Sequence, residues 1–115
     1  MIFVLEKETK QVKFIKEEEK KENEIILKEN TQEAAVEKHI PVVERMENQV
    51  KVQVGSILHP ATEEHYITMI AQVVENQINR VDLKPNEEPV AMFPYIENAK
   101  YYAYCNLHGL WKNEE

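Results

Sequence analysis

Five side chains of this 115-residue chain could bind a transition metal, and they lie in four short, separate sequences. The one cysteine, Cys105, lies three positions before His108, and the remaining histidines are His39, His59 and His65. Neutral imidazoles with one thiolate suit a redox-active iron better than magnesium or calcium, which prefer oxygen ligands. The residue types therefore point to iron redox chemistry.

Each of these side chains alone is weak evidence for a metal centre. A histidine in a loop is most often a surface residue that forms hydrogen bonds, and an isolated Cys-x-x-His pair suggests half of a zinc site. Two alternatives stay open at this point. One is a closed structural zinc site that uses four of the five side chains, and the other is a metal-free adhesive or regulatory domain in which the histidines are incidental.

Composition argues against several classes of function. The formal net charge of −7 and the pI near 5.2 disfavour nucleic acid or an anionic membrane as the main partner, because both attract basic surfaces. The apolar start, Met1 to Leu5, becomes charged at Glu6 and is too short for a signal-peptide core or a membrane span. A single cysteine cannot form an intramolecular disulfide. We expect a cytoplasmic protein whose cysteine is free to bind metal.

The elements that would position these side chains begin near Pro41, where β-branched and aromatic residues alternate with turn signals. The run Val50–Val54 alternates apolar and polar residues, which is the period of a strand with one buried face. About seven short, sequentially adjacent strands predict an all-β fold, an antiparallel sandwich of two sheets. The predicted strands cover 42–46, 50–54, 66–74, 78–83, 90–95 and 100–104, and the Cys-x-x-His sequence is expected to follow the last strand.

The first 33 residues differ in composition, because a charged run from Lys16 to Glu24 lies between short apolar runs. The charged run predicts an exposed turn or helical segment, and the apolar runs at 2–5, 12–15 and 25–27 are candidate short strands. We predict a small N-terminal module or leader without metal ligands over 1–33 and a β-sandwich domain over 34–115. A disordered charged leader is the alternative.

Taken together, the histidine and cysteine sequences resemble the superoxide reductase family, also called desulfoferrodoxin and neelaredoxin. The resemblance implies an immunoglobulin-like β-sandwich with one mononuclear iron per chain. It also implies reduction of superoxide to hydrogen peroxide by one electron, without release of dioxygen. The matching stretches follow the family order across residues 30 to 112: Glu37-Lys38-His39-Ile40-Pro41-Val42, Val54-Gly55-Ser56, His59-Pro60, Glu63-Glu64-His65-Tyr66-Ile67, Leu83-Lys84-Pro85 and Tyr104-Cys105-Asn106-Leu107-His108-Gly109-Leu110-Trp111.

The resemblance also implies a role for each residue of the centre. Glu37 corresponds to a glutamate that binds the sixth position of the oxidised iron, and Lys38 to a lysine that approaches superoxide. The Cys105 thiolate would be the axial ligand, donating electron density to the iron and leaving the opposite position open. The equatorial ligands would be nitrogen atoms of His39, His59, His65 and His108.

Several further expectations accompany these roles. Backbone N–H groups of Asn106, Leu107 and His108 are candidates for hydrogen bonds to the cysteine sulfur, which would tune the redox potential. Gly109 is expected to adopt a backbone conformation that a side chain would forbid, and Trp111 to pack against the core. True dismutation is a rival activity, but an axial thiolate opposes the electron uptake by ferric iron that dismutation requires.

The N-terminal segment departs from the longer members of the family. Those members carry four cysteines that hold a second, rubredoxin-like iron, whereas residues 1–33 contain neither cysteine nor histidine. We therefore expect no second iron. Exposed edges of short strands would favour contact between subunits, so a homodimer is expected, with a tetramer as the alternative. The resemblance implies that rubredoxin or a similar small electron donor restores the ferrous iron.

Overall fold

The structure is a computed structural model that describes residues 1–113 and consists almost entirely of β-strands. Its only regular helical segments within those residues are α1 (Val36–His39) and a 3-10 turn at Glu17–Glu19. No helix in this part of the chain has the length and apolarity that crossing a membrane requires. The strands are β1 (Ile2–Glu6), β2 (Val12–Ile15), β3 (Glu24–Ile26), β4 (Pro41–Met46), β5 (Gln49–Val54), β6 (Ile67–Val74), β7 (Gln77–Asp82), β8 (Val90–Pro94), β9 (Lys100–Cys105) and β10 (Gly109–Lys112).

Two antiparallel sheets face each other and enclose the main core. One sheet has the strand order β10-β9-β6-β7, and the other has the order β4-β5-β8. Alternate residues of β5, Val50, Val52 and Val54, are buried against Ile70 and Ala103 of the opposite sheet. The predicted antiparallel β-sandwich is confirmed.

The third sheet, of order β2-β1-β3, covers the outer face of the four-stranded sheet. Its residues Phe3 and Val12 form one buried cluster with Met69 and Ala71 of β6. On the other face of β6, Ile70 points into the sandwich. Strand β6 is therefore buried on both faces, which explains why apolar residues occupy adjacent positions of its sequence instead of alternating, although Thr68 and the buried Gln72 interrupt them.

The N-terminal residues are ordered into strands at each of the three candidate apolar runs. The charged residues 16–23 between β2 and β3 are exposed and include the short 3-10 turn, whereas Glu24, the last residue of the charged run, is buried at the start of β3. A disordered leader is therefore not what the structure contains. The Arg80 guanidinium of β7 donates a 2.7 Å hydrogen bond to the carbonyl of Val12 and ties the two parts together. The division of the chain at residue 33 stays a prediction.

The prediction that the Cys-x-x-His sequence follows the last strand was wrong, because β10 comes after it. Cys105 pairs with Gly109 across β9 and β10, so the sequence forms the turn of a β-hairpin. Gly109 has a φ of +83°, the left-handed conformation expected of it. Four residues give too little alternation to reveal β10, and the glycine at its start suggests a turn rather than a strand.

Candidate metal centre

Three connections at one end of the sandwich carry the five predicted ligands. The short helix α1 ends at His39 immediately before β4, and the β5–β6 connection contains His59 and His65. The β9–β10 hairpin contributes Cys105 and His108. Residues separated by up to 69 positions thus meet because strand ends of both sheets lie at the same edge of the sandwich.

The imidazoles of the four histidines are arranged as the corners of a quadrilateral. Neighbouring ring centroids are 4.7 Å apart for His39 and His59, 4.5 Å for His59 and His65, and 5.0 Å for both pairs that include His108. The diagonal between His39 and His65 is 6.2 Å. Neighbouring ring planes are inclined by 75° to 90°, so the rings surround one common point rather than stacking.

The cysteine sulfur lies within reach of the same point. One ligand atom each of His39, His59, His65 and Cys105 lies within 4.8 Å of the others. His108 is outside that group of four, but its Nδ1 atom is 3.8 Å from the Cys105 sulfur. The structure therefore brings all five predicted side chains together, whereas their roles as ligands stay a prediction.

Within residues 1–113, three of the ring nitrogens at this point have no hydrogen-bond partner. The Nδ1 atoms of His39 and His59 each lie 2.7 Å from a backbone carbonyl, of Ala35 and Pro60 respectively. Because Nδ1 carries the donated proton, Nε2 of each ring presents a lone pair. The Nε2 atoms of His39, His59 and His65 are buried without a hydrogen-bond partner. Three orphaned nitrogens beside a thiol are the donor set that a transition-metal ion binds, so the residues fit such an ion.

The electrostatics of the centre favour uncharged imidazoles. Burial lowers the pKa of His59 to about 4, and neighbouring imidazoles reinforce the shift. Burial is also the main reason that the pKa values of His39 and His65 are lowered. These three rings are therefore neutral near pH 7, which is the state that a metal ligand requires.

Cys105 is fully buried, and this burial raises the pKa of its thiol. Hydrogen bonds from the backbone N–H groups of Leu107 and His108 act on that pKa in the opposite direction. Two of the three predicted backbone donors thus reach the sulfur. The N–H group of Asn106 instead donates to the carbonyl of Tyr66 at 3.2 Å, because the hairpin turn directs it toward β6.

Glu37 and Lys38 lie exposed on α1, beside the ring of histidines. The positive charge of Lys38 adds to the lowering of the pKa values of His39 and His65, and the negative charge of Glu37 raises that of His39. Both charged groups are therefore close enough to act on an ion or an anion at the centre.

Gly55 begins the turn that follows β5 and packs against α1. The sequence pattern did not reveal this role. Its N–H group donates a hydrogen bond to the carbonyl of Ile40. Two residues later, the N–H group of Ile57 donates a 3.0 Å hydrogen bond to the carbonyl of Glu37. A Cβ atom at Gly55 would lie 2.7 Å from the Cα of Lys38 and 2.8 Å from the Glu37 carbonyl, and it would also meet the Ile57 carbonyl. Its φ of +87° is also a conformation that side chains disfavour. Both the clash and the backbone conformation therefore require glycine at this position.

Trp111 contacts two of the predicted ligands in addition to being buried as expected. Its Nε1–H group donates a 2.9 Å hydrogen bond to the carbonyl of His108, and its ring centroid is 5.0 Å from that of His39. The indole therefore packs against the imidazole of His39 and holds the backbone of His108 in place. Its place two residues after a glycine gave no sign of this function.

The protein is an antiparallel β-sandwich with four imidazoles and a thiol gathered at one end. These features place it in the class of β-sandwich proteins that bind a metal through nitrogen and sulfur ligands. Within that class the sequence is specific. Residues 31–114 match the family model described as Desulfoferrodoxin. The chain belongs to the desulfoferrodoxin family, which is iron-dependent.

Relatives with different names share this region. The chain is 44% identical over 90 residues to a desulfoferrodoxin of Syntrophotalea carbinolica, covering 77% of this chain and 71% of that protein. It is 40% identical over 107 residues to a superoxide reductase of Pyrococcus furiosus, covering 68% of this chain and 86% of that protein.

One of two similar solved structures extends the similarity to the N-terminal sheet. The crystal structure of the superoxide reductase from Treponema pallidum has a TM-score of 0.80 at 31% identity, with 98% of each chain covered. The superoxide reductase from Giardia intestinalis has a TM-score of 0.59 at 35% identity and covers 67% of this chain and 95% of its own. These relatives support an oxidoreductase.

Proposed function

We propose that this protein is a superoxide reductase that converts superoxide to hydrogen peroxide at one iron bound by His39, His59, His65, His108 and Cys105. The observation that carries the proposal is the convergence of four imidazoles and a buried thiol on one point. The relatives named superoxide reductase support the same activity.

The chemistry of the donor set explains why it suits this reaction. A ferrous ion bound by these residues would supply one electron, and that electron with two protons from water would convert superoxide to hydrogen peroxide. Cys105 in its thiolate form would donate electron density to the ion, and the N–H groups of Leu107 and His108, which act on the thiol, would limit that donation. His39, His59 and His65, whose lowered pKa values keep them neutral near pH 7, would hold the ion without adding charge of their own.

The two charged residues of α1 take different parts in the proposal. Lys38 attracts the superoxide anion, which the net charge of −7 would otherwise repel. The Glu37 carboxylate would bind the oxidised ion and would have to leave it before the next turnover. Their exposure beside the ring of histidines supports both roles.

The proposal for the whole chain follows the predicted division. Residues 34–115 form the iron-binding domain, and residues 1–33 form a module without metal ligands and without a second iron. We expect a homodimer. Rubredoxin or another small one-electron carrier returns the iron to the ferrous state.

Measurement of the products separates this activity from its rival. Superoxide is generated enzymatically in the presence of the iron-loaded protein and a reductant, while dioxygen and hydrogen peroxide are recorded. A reductase yields one hydrogen peroxide for each superoxide and no dioxygen from the protein-catalysed step. Release of one dioxygen for every two superoxide ions would identify dismutation instead and contradict the proposal.

A further inference from the structure

Asn106 connects the cysteine hairpin to the connection that carries His65, although its side chain is exposed. Its Nδ2 atom donates a 2.9 Å hydrogen bond to the carbonyl of Glu64, and its Oδ1 atom accepts a 3.0 Å hydrogen bond from the N–H group of Tyr66. Its own N–H group donates to the carbonyl of Tyr66. One residue thus holds the backbone on both sides of His65.

His65 needs such support more than two other histidines of the centre. The rings of His39 and His59 are each fixed by a hydrogen bond from Nδ1 to a carbonyl. Within the described residues, the hydrogen bonds near His65 involve its backbone: its carbonyl accepts from the Thr62 N–H group, and its own N–H group donates to the Thr62 hydroxyl. The direction of its imidazole therefore depends on where the backbone of residues 64 to 66 is held.

The strand pairing adds a reason for a connection at this point. The register of β6 against β9 shifts between Ile67 and Met69, so the regular ladder is interrupted just after His65. Ile67 pairs with Cys105, the last residue of β9, and beyond this pair the ladder gives no further support. The hydrogen bonds of Asn106 continue the connection between the two segments past the end of the sheet.

We propose that Asn106 is a positioning residue that fixes His65 relative to Cys105 and thereby sets the metal affinity and the metal–thiolate interaction of the centre. The proposal rests on the proposed function only in taking both residues as ligands of the same ion. Asn106 itself touches neither the ion nor the substrate. Its exposure means that truncation removes hydrogen bonds without opening a cavity in the core.

Cobalt binding to the metal-free protein tests this without reference to catalysis. Co²⁺ is titrated into wild type and Asn106→Ala, and affinity and the thiolate-to-cobalt absorption band are recorded. We expect Asn106→Ala to weaken Co²⁺ binding about tenfold and to shift or weaken that band. Asn106→Asp keeps the acceptor for the Tyr66 N–H group but loses the donor to the Glu64 carbonyl. Its affinity for Co²⁺ should therefore lie between those of wild type and Asn106→Ala.

Asn113→Ala is the matched control. Its Oδ1 atom accepts a 3.0 Å hydrogen bond from the N–H group of Tyr101, near the opposite end of β9. This variant loses a hydrogen bond of the same kind and should bind Co²⁺ as wild type does. Equal affinity and an identical band in Asn106→Ala and wild type would overturn the proposal. Wild-type protein that binds Co²⁺ but fails to reduce superoxide would instead contradict the proposed function and leave the role of Asn106 intact.

Discussion

The Nε2 atoms of His39, His59 and His65 are buried and have no hydrogen-bond partner in the part of the chain that the structure describes. An unsatisfied buried polar group costs about 1–3 kcal/mol, so three together are unfavourable unless something binds them. The carbonyls that accept from Nδ1 of His39 and His59 fix the lone pairs in the inward direction. A metal ion explains this arrangement better than a packing role does.

Protonation of these rings should control the stability of the metal-free protein. The folded pKa of His59, about 4, lies below its ordinary value of 6.5, so the unfolded chain binds the proton more readily. Neutral His59 therefore contributes to the free energy of unfolding above pH 6.5, and this contribution is lost as the pH falls toward 4. The loss amounts to up to about 3 kcal/mol. Urea unfolding of the metal-free protein between pH 7 and 5 should show this decline. His59→Gln should flatten it, and equal slopes for the two proteins would contradict the assignment.

Lys38 should determine how fast superoxide arrives. We predict that Lys38→Ala lowers the second-order rate of reaction with superoxide about tenfold and weakens its dependence on salt, while iron content stays unchanged. Pulse radiolysis gives the rate directly. Lys100→Ala removes the same charge from the start of β9, at the other end of the strand from Cys105, and should have little effect. An unchanged rate in Lys38→Ala would exclude the role.

At the scale of elements, the turn at Gly55 holds α1 against the end of β5. Gly55→Ala should destabilise the protein by about 2 kcal/mol or more, because the new Cβ meets the backbone of Glu37 and Lys38 in addition to the strain of a positive φ. It should also slow the reaction with superoxide as Lys38→Ala does. Gly109→Ala is a matched comparison, since its φ is +83° but the new Cβ meets the flexible side chain of Gln32. Equal destabilisation of the two variants would refute the role of the Gly55 contact.

Much of the element structure could be predicted because most strands satisfy simple rules. Strand β5 alternates, and β6 and β9 are rich enough in apolar and aromatic residues to stand out. Strand β10 could not be found, since four residues beginning with glycine resemble a turn. The burial of β6 on two faces depends on the N-terminal sheet and is not visible in β6 itself.

The candidate site could be predicted as a set of residue types but not as a geometry. Cys105 and His108 stand out by chemistry, and the family resemblance relates them to histidines far away in the chain. The contributions of Gly55, Asn106 and Trp111 arise from backbone contacts between separate connections. Contacts of that kind have no pattern within a single segment, so only the folded structure reveals them.

At the scale of the whole molecule, the N-terminal sheet shares a core with the sandwich. Phe3 is buried beside Phe14 and Tyr102 and belongs to the same cluster as Tyr104, the neighbour of Cys105. Phe3→Ala should cost about 3 kcal/mol and shift one common unfolding transition of the entire protein. Denaturant unfolding followed by circular dichroism and by fluorescence of the single tryptophan, Trp111, would report both parts.

Ile26→Ala provides the control for that experiment, because Ile26 lies on the same small sheet but is 47% exposed. Ile26→Ala should lower the free energy of unfolding by less than about 1 kcal/mol. Two separate transitions, with the sandwich unaffected by Phe3→Ala, would mean that the N-terminal sheet is an independent unit and contradict the shared core.

The visible spectrum of the iron-loaded protein tests the central claim, a redox-active iron bound to the thiolate of Cys105, most directly. Oxidation should produce a broad band in the red region that disappears on reduction and is absent from Cys105→Ser at the same iron content. His108 and the other imidazoles remain in that variant, so loss of the band would report the sulfur alone. A colourless protein that stays redox-silent after reconstitution with iron, or a band that persists in Cys105→Ser, would contradict the claim.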